Sequence, residues 1–259
     1  MMARHFFNIV GLSFLALTAN CQGHPQVVGR LELPAIEDGE TIIEYSGFTV
    51  SYDRENKQAR WVAYELADWE CNGPASRDGK SFKRDPRAHV PQADDSDYRR
   101  SGWTRGHLAP AADFRWSEQA LTETFQFTNC SPQDEYMNNY SWEELESRAR
   151  YWAKKFGSVY IVTGPIVGEH EHGFIGSNRI PIPDAFFKAF VTVDDSGLTP
   201  VYQSVAFVMH NTDAKQPYPD CSMTVNQLEE VLGIDLFTAL PDNVEEEVES
   251  TVDRSFWRF

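Results

Sequence analysis

The chain has 259 residues, 41% hydrophobic and 13% aromatic, enough apolar side chain to bury one substantial core and too much for a disordered tail. No composition shift marks its middle, so a single globular domain over 21–259 is expected behind an N-terminal segment. A formal net charge of -16 excludes a protein that coats nucleic acid through bulk charge, because that binding depends on counterion release by Lys and Arg.

In chain order, Arg4 and His5 precede an apolar run from Phe6 to Ala19, which Asn8, Gly11 and Ser13 interrupt and which is too short to span a bilayer. Residues 1–20 read as an export signal, which places the protein in the periplasm, on the cell surface or in the medium. Its end is open between two readings: cleavage after Ala19, or a lipoprotein box at Leu17-Thr18-Ala19-Asn20-Cys21 with a lipid on Cys21. Export favours disulfides, and the other cysteines are read as a Cys71–Cys221 bridge with Cys130 a free thiol at the buried end of a strand.

Residues 41–52 and 59–67 are rich in branched and aromatic side chains around a polar turn and predict a hairpin. A long polar loop follows from Asp68 to about Ser101, a length usually kept for function. Residues 124–128 predict a short strand. Ser141-Trp142-Glu143-Glu144 is a capping box that starts a helix at Ser141, unless Asn138 occupies an added first turn; the helix runs to Lys155 and stops at Gly157. The apolar run 158–167 predicts a buried strand, residues 186–193 and 201–210 a second hairpin, and Thr224-Val225-Asn226-Gln227 a second capped helix closing at Gly233. Strands with inserted helices make the fold class α+β.

Charge is unevenly distributed. Between Arg77 and Arg115 nine bases face six acids, whereas 242–253 holds six acids and no base. A basic strip on an acidic body suits weak, salt-sensitive binding of a polyanion.

Within that strip lies Trp103-Thr104-Arg105-Gly106-His107-Leu108-Ala109-Pro110, followed by Asn129 and by Asn138 at the threshold of the helix. An imidazole can take a proton from water near neutral pH, and an amide oxygen can hold a hard divalent cation without cancelling its charge. Asn138, Trp142, Glu146 and Arg150 recur every four residues and so share one helix face, able to supply a ligand and its supporting groups together. His170 and His172 alternate in a polar loop, but no Cys or Asp has the spacing of a zinc site.

These blocks, with Trp61-Val62-Ala63-Tyr64-Glu65-Leu66, Pro132-Gln133, Leu145-Glu146, Val162-Thr163-Gly164-Pro165, Phe187-Lys188 and Leu228-Glu229, resemble the DNA/RNA non-specific endonucleases of the ββα-metal (His-Me finger) superfamily, which includes endonuclease G and secreted bacterial nucleases. The resemblance implies a mainly antiparallel sheet flanked by helices, and hydrolysis of DNA and RNA to 5′-phosphate ends. It implies His107 as general base, Asn138 as the direct protein ligand of one Mg²⁺, with Mn²⁺ as a substitute, and Glu146 orienting water around the cation. Arg105 and Arg150 would offset phosphate charge, Asn129 would brace the site, and Lys80, Arg77 or Arg84 would hold substrate. Beyond nucleic acid, the partners to expect are a membrane, where Cys21 is lipidated, and a second copy of the chain. Two departures stand out: Thr104 replaces the Asp that most members carry before Arg-Gly-His, and Lys80 stands where some have Arg. They motivate a rival reading, a nucleic-acid-binding surface lipoprotein that kept the fold and lost the chemistry.

Overall fold

The computed structural model describes residues 30–194 and 199–259; the segment read as an export signal and Cys21 lie outside the described residues. The chain runs through β1 (Thr41–Glu44), β2 (Thr49–Asp53), β3 (Gln58–Ala67), α1 (Asp95–Tyr98), β4 (Thr104–His107), α2 (Glu118–Glu123), β5 (Cys130–Gln133) and α3 (Glu143–Phe156). There follow β6 (Ser158–Ile166), β7 (Phe174–Ile175), β8 (Ile180–Pro181), β9 (Ala185–Asp194), β10 (Val201–His210), β11 (Ser222–Met223), α4 (Val225–Leu232), α5 (Asp242–Glu249) and α6 (Arg254–Trp257). The result is the expected α+β class.

Seven strands form one antiparallel sheet in the order β1-β2-β3-β6-β9-β10-β11. Strand periodicity sends Val62, Tyr64, Ile161, Phe186 and Phe190 to one face and Trp61, Ala63, Val162, Phe187 and Ala189 to the other. α3 covers the first face with Leu145, Ala149 and Trp152, while α4 covers the second with Val225 and Leu228. The second predicted hairpin is present as β9–β10, and the first as β2–β3, but its arm 41–52 is broken by a turn at 45–48 into β1 and β2, which pair with each other. The Thr224 cap is present; Thr224 accepts from the Gln227 amide, and α4 closes at Gly233 in the left-handed region. α3 stops at Gly157, whose φ of 93° suits a residue without a Cβ.

Three expectations are corrected. Residues 124–128 do not form a strand: Thr124 closes α2, its hydroxyl donating to Leu121 O at 2.7 Å, and Phe127–Asn129 is a 3-10 turn. The aromatic content there reports burial of Phe125 and Phe127 instead, with the strand beginning at Cys130. Nor does Ser141 cap the helix. Asp134 does, its carboxylate accepting from the amides of Tyr136 at 2.8 Å and Met137 at 3.1 Å, and a wide π turn over Met137–Trp142 leads into α3. Asn138 thus sits in an added first turn, in the kind of helical bulge that often marks functional sites. Finally, Cys71 and Cys221 are free thiols, as is Cys130. Cys71 Sγ lies against Ala67 O and Arg150 O beneath α3, whereas Cys221 Sγ lies against Pro217 O beside β11, so the two occupy different parts of the fold.

Candidate active site

β4 and β5 form a separate two-stranded ladder that pairs Thr104 with Gln133 and His107 with Cys130, and the chain passes from β5 directly into the α3 helix. Gly106 makes this ladder possible, because a Cβ there would lie 2.0 Å from Gln133 Oε1. His107 ends β4 with its ring held between Phe82 and Phe125, at centroid distances of 4.5 and 4.8 Å. Its Nε2 is buried without a partner. No hydrogen bond reaches either ring nitrogen among the described residues, so Nδ1 is the nitrogen open to solvent. Burial, with the charge of Arg77 adding, pushes the imidazole pKa down to about 3. The ring is therefore neutral across the physiological range, with its acceptor lone pair unoccupied by a proton.

Asn138 is oriented from β4. Its Nδ2 donates to Thr104 Oγ1 at 3.0 Å, and Thr104 Oγ1 donates in turn to Gln133 O at 2.8 Å. With the amide nitrogen engaged, Oδ1 is left without a protein donor and directed away from Thr104. Thr104 thus does for Asn138 what a carboxylate oxygen could do at that position, though without the charge.

Further along the same helix face, Glu146 and Arg150 meet a buried network. Tyr64 donates to Asp113 Oδ2 at 2.9 Å, and Arg150 Nη1 donates to Asp113 Oδ1 at 2.9 Å. Lys188 is fully buried in β9, with Nζ 3.3 Å from Leu108 O and 4.9 Å from the Trp142 ring centroid. Burial raises the Glu146 carboxyl above the usual carboxylate range, against the attraction of Lys188, while Asp113 pushes it further up. Lys188 is lowered by burial and supported by Glu146 and Asp113. Two acids and two bases close together balance in charge, which is what allows them to be buried.

The remaining candidates separate by partner. Arg150 is tied to Asp113 and to Ser147 Oγ, so its charge balances buried carboxylates rather than being free for a phosphate. Arg105 is held similarly, Nη2 on Asp95 at 2.6 Å with the guanidinium over the Tyr98 ring. Lys80 turns onto α2, where it meets Glu118 and Thr122. Arg84 lies in a separate open groove with Lys83, Asp85 and Arg87. Arg77, exposed and close enough to bias His107, is the cation that remains at the site. Asn129 is wholly structural in its contacts: Oδ1 accepts from Ala109 N at 2.9 Å, and Nδ2 donates to Ala109 O and Thr124 O. It braces the turn after His107 and presents no free donor. His172 has Asp184 at 3.9 Å, and no group of three or more His, Cys, Asp or Glu suited to a metal ion occurs among the described residues.

A family model described as DNA/RNA non-specific endonuclease matches residues 33–243. The chain belongs to that family. It is 32% identical over 229 residues to the mitochondrial nuclease EXOG of Danio rerio, a match covering 83% of this chain and 65% of that protein. To mitochondrial endonuclease G of Bos taurus it is 30% identical over 207 residues, covering 76% and 67% respectively. Nuclease C1 of Cunninghamella echinulata var. echinulata is 30% identical over 214 residues, with coverages of 76% and 83%. The chain thus spans about two thirds of the length of the first two relatives. Among solved structures, endonuclease G in complex with EndoGI has the same fold, at a TM-score of 0.75 and 24% identity over 89% of this chain and 97% of that one.

In this member of the endonuclease family, sequence reasoning missed Asp113 and Lys188 as parts of the site. Lys188 had a visible signal, a lone cation between Phe186 and Phe190 on a strand face otherwise apolar. Asp113 had none, because only the fold brings it under Tyr64 and Arg150.

Proposed function

We propose that the protein is a divalent-cation-dependent, sugar-non-specific endonuclease that hydrolyses DNA and RNA to 5′-phosphate products. The observation that carries this reading is the pairing of a neutral imidazole, open at Nδ1, with an amide oxygen that Thr104 leaves free. One neutral oxygen with a carboxylate behind it suits Mg²⁺ or Mn²⁺, hard cations that keep most of their water, better than a soft metal that needs several protein ligands. Asn138 would hold the cation, which when bound supplies charge to stabilise the phosphate and the leaving 3′ oxygen.

His107 Nδ1 takes the proton of the attacking water, a contribution of about 10²- to 10⁴-fold for a well-placed base. Phe82 and Phe125 fix the ring plane and Asn129 fixes the backbone that follows it. Arg77 holds the substrate phosphate, and burial, with the Arg77 charge adding, keeps the imidazole unprotonated. Glu146 supplies an acceptor for water around the cation, and the Lys188 charge, held on the carbonyl beside His107, favours its ionised form. The rival, binding without chemistry, rested on Thr104 and Lys80; the Thr104–Asn138 hydrogen bond supports the enzyme instead.

Cleavage of supercoiled plasmid and of single-stranded RNA, with Mg²⁺ and with EDTA, beside His107→Ala, tests the proposal. Cutting of both substrates that needs both the cation and the imidazole supports it; a gel shift of DNA without cutting in Mg²⁺ or Mn²⁺ transfers the assignment to the rival. Export belongs to the same proposal and rests on the leader residues. The mass of the mature N-terminus distinguishes cleavage after Ala19 from a lipid on Cys21.

A further inference from the structure

Trp69 is 65% exposed, a large cost for an indole with no evident structural purpose. Its mount is firm. Asp68 N donates to Gly157 O at 2.8 Å, Glu70 closes back on Ala67 N at 2.9 Å, and Cys71 is buried under α3. The ring meets Trp116 edge-on, at a centroid distance of 5.5 Å and 65°. Trp116 in turn follows Arg115, whose backbone carbonyl accepts from Ala75 N at 3.1 Å and whose Nε donates to Ala75 O at 3.1 Å. Gly73 is pressed so closely on Arg115 that a Cβ would lie 2.0 Å from its carbonyl oxygen.

Arg115, next in the chain to Trp116, lines a cavity of about 340 Å³ together with Ser76, Arg77, Ala111, Ala112 and Leu121. The charged residues in that lining are both arginines, both are exposed, and neither forms an ion pair among the described residues. On a chain of net charge -16, where Lys80, Arg87, Arg99 and Arg105 of the same strip are each paired with an acid, two guanidiniums without a carboxylate partner meet on one apolar cavity. Ala111 and Ala112 open the 3-10 turn that follows the His107 segment, and Leu121 lies four residues before Phe125, which packs on the His107 ring at 4.8 Å. Arg77, an apolar floor and Arg115 thus share one cavity, and Arg115 leads through Trp116 to the exposed Trp69 indole.

We propose that Trp69 and Arg115 form a nucleotide subsite for a single strand of the substrate: the indole stacks on an unpaired base, and Arg115 meets the phosphate next to it. This rests on the endonuclease reading and extends it to substrate class. Stacking needs a free base face, and every base has one, so such a subsite favours single-stranded or locally unpaired nucleic acid without reading sequence. An indole with one open face and a guanidinium fork beside it match a base and its phosphate.

The test uses the mature protein and a fluorescein-labelled oligothymidylate, with anisotropy in EDTA for binding and gel-resolved cleavage in Mg²⁺ for turnover. A strand of the same length built from tetrahydrofuran units, with every phosphate and no base, is the control. Trp69→Ala should weaken oligothymidylate binding by about 5- to 150-fold, Trp69→Phe should keep most of it, and the base-free strand should bind wild type and Trp69→Ala alike. Arg115→Gln should weaken both strands. Equal binding and cutting of oligothymidylate by wild type and Trp69→Ala overturns the subsite while leaving the nuclease intact. A Trp69→Ala protein that binds DNA normally but loses self-association on a sizing column also overturns it, assigning the surface to a second copy. A wild type that neither binds nor cuts either strand removes the subsite together with the endonuclease reading.

Discussion

Replacing Thr104 with Val keeps the shape of the side chain and removes the one oxygen that fixes Asn138. In the folded protein that oxygen accepts from Asn138 Nδ2 at 3.0 Å and donates to Gln133 O at 2.8 Å. Each such bond is worth about 0.5–1.5 kcal/mol net. Without them the amide can rotate and present nitrogen where the cation needs oxygen. A preference of about 1.4 kcal/mol is a factor of ten in an equilibrium, so the cation requirement should rise about tenfold, the low end of the 10- to 100-fold cost of removing a ligand's supporting partner. Turnover at saturating Mg²⁺ should change much less, since His107 is untouched. The assay is a Mg²⁺ titration of initial plasmid nicking rates, paired with Mn²⁺ affinity measured by electron paramagnetic resonance on protein free of nucleic acid. Thr104→Asp restores an acceptor, adds a charge and should tighten the cation beyond wild type. If Thr104→Val leaves both the Mg²⁺ midpoint and the Mn²⁺ affinity unchanged, Thr104 does not orient Asn138 and the reasoning fails.

Three further outcomes are expected. Glu146 is raised by burial and lowered by Lys188, so it ionises as pH climbs toward neutrality; an acid limb in the rate profile should move upward in Lys188→Met and vanish in Glu146→Gln, and an identical limb in all three proteins would exclude Glu146 as its source. Burial and neighbouring carboxylates raise Glu229 to about 7 and Glu249 to about 8. The folded state then holds protons that the unfolded chain releases from about pH 4.5 upward, so stability present at acid pH is lost as pH rises through 7 to 8; Glu249→Gln should flatten the fall in melting temperature between pH 5.5 and 8.5, and an unaltered slope would count against the assignment. Gly106→Ala drives a Cβ to 2.0 Å from Gln133 Oε1 and should cost about 1–3 kcal/mol in urea denaturation, with nuclease activity lost as the β4–β5 ladder shifts.

The hairpins and the helix stops at Gly157 and Gly233 were legible because alternation, capping chemistry and left-handed glycines are local properties of the chain. That Asn138 and Glu146 share one helix was legible because this placement rests on local spacing. Where a residue's role depended on a partner distant in sequence, local pattern misled: 124–128 had the composition of a strand but was fastened into a turn by Asn129. Three odd cysteines invited a bridge that their surroundings do not make, and Arg105, Arg150 and Lys80, read as contacts for phosphate, each meet a carboxylate elsewhere in the chain. The sequence by itself determined most of the elements and which residues are candidates for the chemistry, since both follow from residue chemistry and short-range spacing. Only the tertiary structure decided which charges are cancelled and which remain open, because charge pairing and burial depend on distances between residues that the chain order does not contain.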